Sequence, residues 1–284
     1  MKTPAPDRVT TVTVGLQQLR VAIRPGTGEG RSAPPLLACN GIGTPLEALR
    51  PFIAALDPAI DVVSFDVPGV GGSPATRLPY SLPWLAWLTG RMLGQLGYDR
   101  FDVLGISWGG ALAQQIAFQS PRRCRRVVLA ATATGALMVP ARPRVLLHLS
   151  TPRRHRDPAH AQRIAGDLYG GVLRRRPELA RQVVDTLGRP PRQRGYLYQL
   201  TAGAGWTSLP LLPLIRQPTL ILAGTDDPII PLENAKVMAA LLPHARLHTH
   251  PDGHLGLLTS AADLAPIVSD FLLAVDPAGG PAVQ

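Results

Sequence analysis

Apolar residues recur along this chain in two rhythms. Near the start they alternate with polar ones, as in Thr11-Val12-Thr13-Val14 and Leu19-Arg20-Val21-Ala22-Ile23. The alternation breaks at Gly15, which predicts an antiparallel hairpin over 9–23. After a Gly-, Pro- and Ser-rich loop from Pro25 to Pro35, the apolar residues come instead in short unbroken runs: Leu36-Leu37-Ala38-Cys39, Val62-Val63-Ser64-Phe65, Val103-Leu104-Gly105-Ile106, Val127-Val128-Leu129-Ala130 and Thr219-Leu220-Ile221-Leu222. Runs of this kind belong to a parallel sheet covered by helices on both faces. Helical periodicity fills intervals between them at 45–56, 82–96, 108–119, 232–241 and 261–274, so the expectation is a doubly wound, mostly parallel α/β fold preceded by an antiparallel hairpin.

The interval between Ala130 and Thr219 is far longer than one crossover helix requires, and its texture differs. It predicts an inserted, mostly helical cap over residues 136–206, interrupted at Gly170-Gly171 and again from Gly188 to Pro191. The core would then be residues 1–135 and 207–276, with 277–284 as a flexible tail.

Charge sharpens that picture. The formal net charge is +10, and the 29 basic residues are all arginine except Lys2 and Lys236. The insertion holds thirteen arginines (142, 144, 153, 154, 156, 163, 174, 175, 176, 181, 189, 192 and 194) against Asp157, Asp167, Glu178 and Asp185, so it carries nearly all of the excess. Base-reading motifs are absent and aromatic residues make up only 5% of the chain, which excludes nucleic acid as the expected partner. No stretch approaches the roughly 20 apolar residues of a membrane span, and residues 1–7 lack the apolar core of a secretory signal. A cytoplasmic protein without integral membrane association is expected. The two cysteines, Cys39 and Cys124, are expected as buried thiols rather than a bridge.

The chemistry centres on Gly105-Ile106-Ser107-Trp108-Gly109. This box follows an apolar strand and opens a helix, the context in which a serine is presented on a sharp strand-to-helix turn. A serine hydroxyl needs a base, and among seven histidines the best placed is His254, in the turn after the last strand. His248 and His250 lie within that strand and read as structural or exposed; a zinc cluster with His254 lacks companion ligands, so no metal or organic cofactor is expected. The acid should follow the preceding strand, where Gly224-Thr225-Asp226-Asp227-Pro228 offers two aspartates. Asp227 is favoured, with Asp226 as a turn residue. The order Ser, Asp, His along the chain is that of the α/β-hydrolase fold. The main-chain N–H groups of Trp108 and of Ile42, the latter in Asn40-Gly41-Ile42-Gly43, are the candidate oxyanion donors. The loop Asp66-Val67-Pro68-Gly69-Val70-Gly71-Gly72-Ser73 lacks a phosphate-binding pattern and is expected to shape the wall of the site.

Taken together these segments resemble the intracellular medium-chain-length poly(3-hydroxyalkanoate) depolymerases of the α/β-hydrolase family. The likeness extends to Leu129-Ala130-Ala131-Thr132-Ala133, Tyr169-Gly170-Gly171, Gly205-Trp206-Thr207-Ser208, Gln217-Pro218-Thr219-Leu220 and Asp252-Gly253-His254, and so covers about 34–273. It implies a triad of Ser107, Asp227 and His254, the same residues reached from the pattern. Related polymer synthases carry cysteine at the box serine, so Ser107 implies hydrolysis. Asn40, Gly41 and Trp206 are candidate substrate-binding residues. The chain departs from the family in the arginine-rich stretch between Arg174 and Arg194 and in Gly256, where a bulkier apolar residue is expected; both are expected to bear on the pocket.

The resemblance therefore implies hydrolysis of polyester or its oligomers to 3-hydroxyacids through an acyl-enzyme, in the cytoplasm and at the surface of polymer granules. The alternatives are a general carboxylesterase or lactone hydrolase on small esters, and a non-catalytic granule-surface binding protein.

Overall fold

The computed structural model describes residues 8–27, 33–150, 157–187 and 193–275. Arg153, Arg154, Arg156, Arg189 and Arg192, the interruption from Gly188 to Pro191 and the tail 277–284 lie outside the described residues.

Eight strands form one sheet: β1 (Arg8–Val14), β2 (Gln17–Arg24), β3 (Leu36–Cys39), β4 (Val62–Phe65), β5 (Phe101–Ile106), β6 (Cys124–Ala130), β7 (Thr219–Gly224) and β8 (Ala245–His250). Their order is β1-β2-β4-β3-β5-β6-β7-β8. β1 pairs antiparallel with β2, and β2 antiparallel with β4; all other pairs are parallel. The hairpin turns at Gly15-Leu16, as the broken alternation predicts.

Period two within each central strand divides the core. Leu37, Cys39, Val103, Val127, Leu129 and Ile221 point to one face, where α2 (Leu82–Gln95), α3 (Trp108–Gln119) and a later helix, residues Leu232–Leu241, cover them. Leu36, Ala38, Leu104, Val128, Ala130 and Leu222 point to the other, against α1 (Arg50–Ala55) and the final helix Ala261–Leu273. A strand buried on both faces has no position for an exposed polar side chain, hence the unbroken apolar runs.

Between β6 and β7 the described residues form the α-helices α4 (Pro143–Ser150), α5 (Pro158–Tyr169), α6 (Gly171–Arg175), α7 (Ala180–Leu187) and α8 (Gln193–Ala204). After β7 come α9 (Leu232–Leu241), α10 (Gly256–Thr259) and α11 (Ala261–Leu273). The start of α5 is set by Asp157, whose carboxylate accepts the His160 N–H at 3.0 Å, with Pro158 in the first turn. It ends at Gly170, whose φ of 68° leaves the helical region, and Gly171 at 54° begins the next helix. Among the described residues no helix is long and apolar enough to cross a membrane. Cys39 and Cys124 are both free and buried, and burial raises both thiol pKa values.

The connections from β3 leave in one direction and those from β5 in the other, because β3 lies between β4 and β5. Such a reversal opens a crevice beyond the carboxyl ends of the two strands. Cys39 pairs with Gly105, so the loop after β3 and the turn after β5 emerge side by side there. Gly224 pairs with His250, which brings the loops after β7 and β8 to the same edge.

Candidate active site

Ser107 sits where β5 turns into α3, with φ 54° and ψ −121°. For a residue with a Cβ this conformation costs on the order of 1–3 kcal/mol and persists only when the surroundings enforce it. Here they do: Ser107 N–H donates to Ala130 O at 2.9 Å, and Ser107 O accepts from Gly110 N–H at 2.9 Å and from the Thr132 hydroxyl at 2.7 Å. The two box glycines serve space. A side chain at Gly105 would overlap the Gly109 carbonyl, and one at Gly109 would overlap the carbonyls of Cys39 and Asn40. The tight bend and the close approach of α3 to β3 therefore need both.

His254 Nε2 lies 3.0 Å from Ser107 Oγ, and His254 Nδ1 lies 2.9 Å from Asp227 Oδ2. A carboxylate can only accept, so Nδ1 carries the proton and Nε2 is left to accept from the serine hydroxyl. Asp227 is itself fixed: its Oδ1 accepts the main-chain N–H groups of Ile229 and Ile230, each at 2.9 Å. His254 and Asp227 are buried, while Ser107 is half-buried and reachable. Of the two aspartates, Asp227 meets the histidine; Asp226 turns away, accepting Gly171 N–H at 2.8 Å and pairing with Arg174.

The loop after β3 passes beside the serine. A Cβ built on Gly41 would stand 3.8 Å from Ser107 Cβ. Asn40 Nδ2 donates to Pro45 O at 2.8 Å and so braces this loop. Among the hydrogen bonds of the described residues, the main-chain N–H groups of Ile42 and Trp108 have no acceptor. Trp206 is buried, with its indole N–H on Gln115 Oε1 at 2.6 Å.

Several further residues matter to this geometry. Asp66 pins both neighbouring loops, accepting Leu46 N–H at 2.7 Å and Gly72 N–H at 2.8 Å and meeting Arg20; burial nonetheless raises its pKa. Asp252 fixes the histidine turn, its Oδ1 accepting Val172 N–H at 2.8 Å and Gly253 N–H at 2.7 Å, its Oδ2 the hydroxyls of Thr259 and Ser260 at 2.6 Å. Burial pushes the Asp252 pKa up, but those four donors outweigh it and leave it below the usual value. His254 N–H donates to Tyr169 O at 2.8 Å, so the insertion touches the base directly. Gln199, on α8, is buried and bonds to both Gly43 and Trp108. Asp66, Tyr169 and Asp252 stand in segments that the sequence singles out; for Gln199 the sequence offers no signal.

Gly256 is small where it packs against His250. A side chain there would overlap the His250 ring, so its size serves the packing of His250. That ring is buried, and burial lowers its pKa. Among the described residues no group of three or more His, Cys, Asp or Glu side chains is disposed to hold a metal ion.

The alpha/beta hydrolase fold family matches residues 34–261. A poly(3-hydroxyalkanoate) depolymerase of Ectopseudomonas oleovorans is 52% identical over 269 residues, 95% of this chain and 94% of that protein. Among solved structures, a hydrolase from Pseudomonas aeruginosa PA01 aligns with a TM-score of 0.76 at 24% identity, over 94% of this chain and 98% of the other. The enol-lactonase of Burkholderia xenovorans LB400 aligns with a TM-score of 0.77, also at 24% identity, over 93% of this chain and all of the other. These two structures bear on the fold alone. With its sheet order, its serine turn and a family match that spans most of its length, the chain belongs to the alpha/beta hydrolase family.

Proposed function

We propose that this protein is a serine hydrolase of poly(3-hydroxyalkanoate), with a preference for medium-chain-length polymer or its oligomers, releasing 3-hydroxyacids. The observation that carries the reading is the hydrogen-bonded line from Ser107 through His254 to Asp227, in a chain 52% identical to a poly(3-hydroxyalkanoate) depolymerase.

In this mechanism His254 Nε2 takes the Ser107 proton as Oγ attacks the ester carbonyl, and Asp227 stabilises the imidazolium that forms. The tetrahedral oxyanion is held by the N–H groups of Ile42 and Trp108. His254 then returns the proton to the leaving alcohol, the acyl group stays on Ser107, and water activated by the same histidine releases the 3-hydroxyacid. Asn40 and Gly41 contribute to substrate binding through the loop they shape. Residues 1–135 and 207–276 form the catalytic core in this reading and 136–206 its cap; the protein acts in the cytoplasm on granule polymer.

The test uses purified protein on an emulsion of medium-chain polymer. Wild type should release 3-hydroxyoctanoate and also turn over p-nitrophenyl octanoate, and Ser107→Ala should lose both by at least about 10³-fold. An active Ser107→Ala protein overturns the nucleophile assignment. Activity on the small ester alone replaces depolymerase by general carboxylesterase, and no hydrolysis of either leaves a granule-binding protein.

A further inference from the structure

Among the described residues, four hydrogen bonds that involve side chains hold the loop 40–46 that carries the Ile42 N–H. Three come from the core: Asn40 Nδ2 on Pro45 O at 2.8 Å, the Thr44 hydroxyl on Gly41 O at 2.8 Å, and Leu46 N–H on Asp66 Oδ1 at 2.7 Å. The fourth comes from the insertion, where Gly43 N–H donates to Gln199 Oε1 at 2.7 Å, across 156 residues of chain. The main-chain carbonyl of the same residue accepts the Trp108 indole N–H at 2.9 Å. One residue of α8 therefore holds both segments that flank Ser107, one through its side chain and one through its backbone.

Gln199 is 1% exposed. Its helix is seated on the core next to this point. Gly195 and Gly69 meet backbone to backbone, so closely that a side chain on either would overlap the other, and Gly203 lies beside the Trp108 ring. An amide buried in such a seam is retained at a cost unless its groups are matched, and the Gly43 N–H would be an orphan without it. A glutamine at this position spends its acceptor on the residue next to Ile42.

We propose that Gln199 is a positioning residue of the oxyanion site: it holds Gly43, and through it the Ile42 N–H, in the place where the tetrahedral oxyanion forms. This rests on the reading of Ser107 as nucleophile and of Ile42 and Trp108 as donors. Gln199 touches no reacting atom. It acts on the transition state because the Ile42 N–H matters only once the carbonyl oxygen has become an oxyanion.

The discriminating variant is Gln199→Met, which keeps length and apolar volume and removes the acceptor. Gln199→Asn withdraws the amide by one methylene and serves the same test if the thioether is not accommodated. On p-nitrophenyl octanoate, kcat should fall about 10- to 100-fold with KM within about threefold, less than the loss of a whole donor. Affinity for an alkyl trifluoromethyl ketone, which captures the serine as a hemiketal oxyanion, should fall by the same factor as kcat, while affinity for octanoate stays within about twofold. Equal losses for ketone and octanoate would mean that Gln199 only packs the wall and would overturn the proposal. So would unchanged kcat and ketone affinity in a folded variant. A Ser107→Ala control separates the two levels: if it stays active, the nucleophile reading fails, whatever the Gln199 variants do.

Discussion

Replacing Asp227 by Asn changes one atom, and its consequence follows from the hydrogen bonds around it. Oδ1 accepts two main-chain N–H groups, from Ile229 and Ile230, each at 2.9 Å. In the variant those donors still demand an oxygen there, so the amide nitrogen takes the Oδ2 position and points at His254 Nδ1, 2.9 Å away. The NH₂ group can only donate. His254 must then accept at Nδ1 and carry its proton on Nε2, where it faces Ser107 Oγ at 3.0 Å and can no longer receive the serine proton. Fold and burial are retained while the tautomer is wrong. In a serine-protease triad the same exchange lowers kcat by about 10⁴, or roughly 5.4 kcal/mol at 1.36 kcal/mol per decade.

The assay is kcat/KM on p-nitrophenyl octanoate at neutral pH, with thermal unfolding as a control that the variant stays folded. Asp226→Asn is the comparison. Asp226 faces Gly171 and Arg174, and its partly exposed ion pair is worth at most about 1 kcal/mol. Its activity should remain within about fivefold of wild type. An Asp227→Asn protein that keeps a tenth of wild-type activity, or an Asp226→Asn protein that loses as much, refutes the tautomer argument.

Asp252→Ala removes the acceptor of the Val172 and Gly253 N–H groups, at about 1–3 kcal/mol for each orphaned donor. The expected loss is about 2–6 kcal/mol in denaturant unfolding, with less than half of that for Asp252→Asn; a loss under about 1 kcal/mol for the alanine variant contradicts the role given to Asp252. His250 has its pKa lowered by burial, partly offset by Asp252 and Asp227. Below about pH 6.5 the unfolded chain therefore takes up a proton that the native state refuses, and stability present above that pH is lost as pH falls toward the native pKa. The melting temperature should drop between pH 7.5 and 5, and more shallowly in His250→Gln; parallel curves for the two proteins count against this assignment.

What the sequence makes legible is whatever is local. The bounds of α3 and α9 coincide with the periodicity that predicts them, because each lies between clear turn signals. Strands β5 and β6 begin two and three residues before their apolar runs. The reason is buried charge: Asp102 pairs with Arg125 at 2.5 Å, and Arg126 donates to the carbonyls of Phe271 and Leu272, so polar residues sit inside the sheet. The helix expected over 45–56 begins as a 3₁₀ turn, Leu46–Leu49, and becomes α-helical only from Arg50. Ser107, Asp227 and His254 were legible because each occupies a turn directly after a strand, and parallel register aligns the ends of strands. Gln199 and Gly256 were not, since one answers a loop 156 residues away and the other a ring beside it in space only.

The insertion concentrates the charge of the chain. The described arginines of this segment make their contacts outside the serine-histidine pair. Arg144 pairs with Asp167 and Arg176 with Glu178 on the exposed surface, where such pairs contribute little. Arg174 and Arg175 brace the loops of Asp226 and Pro251 from behind. What reaches the reacting residues is uncharged: the Tyr169 carbonyl on the His254 N–H, and the Gln199 amide on the Gly43 N–H. A carbonyl that holds the base by its own backbone cannot move away as part of a rigid lid without loosening the base. The insertion thus meets the loops around Ser107 and His254 at two points of the sheet edge, through the Tyr169 carbonyl and the Gln199 amide.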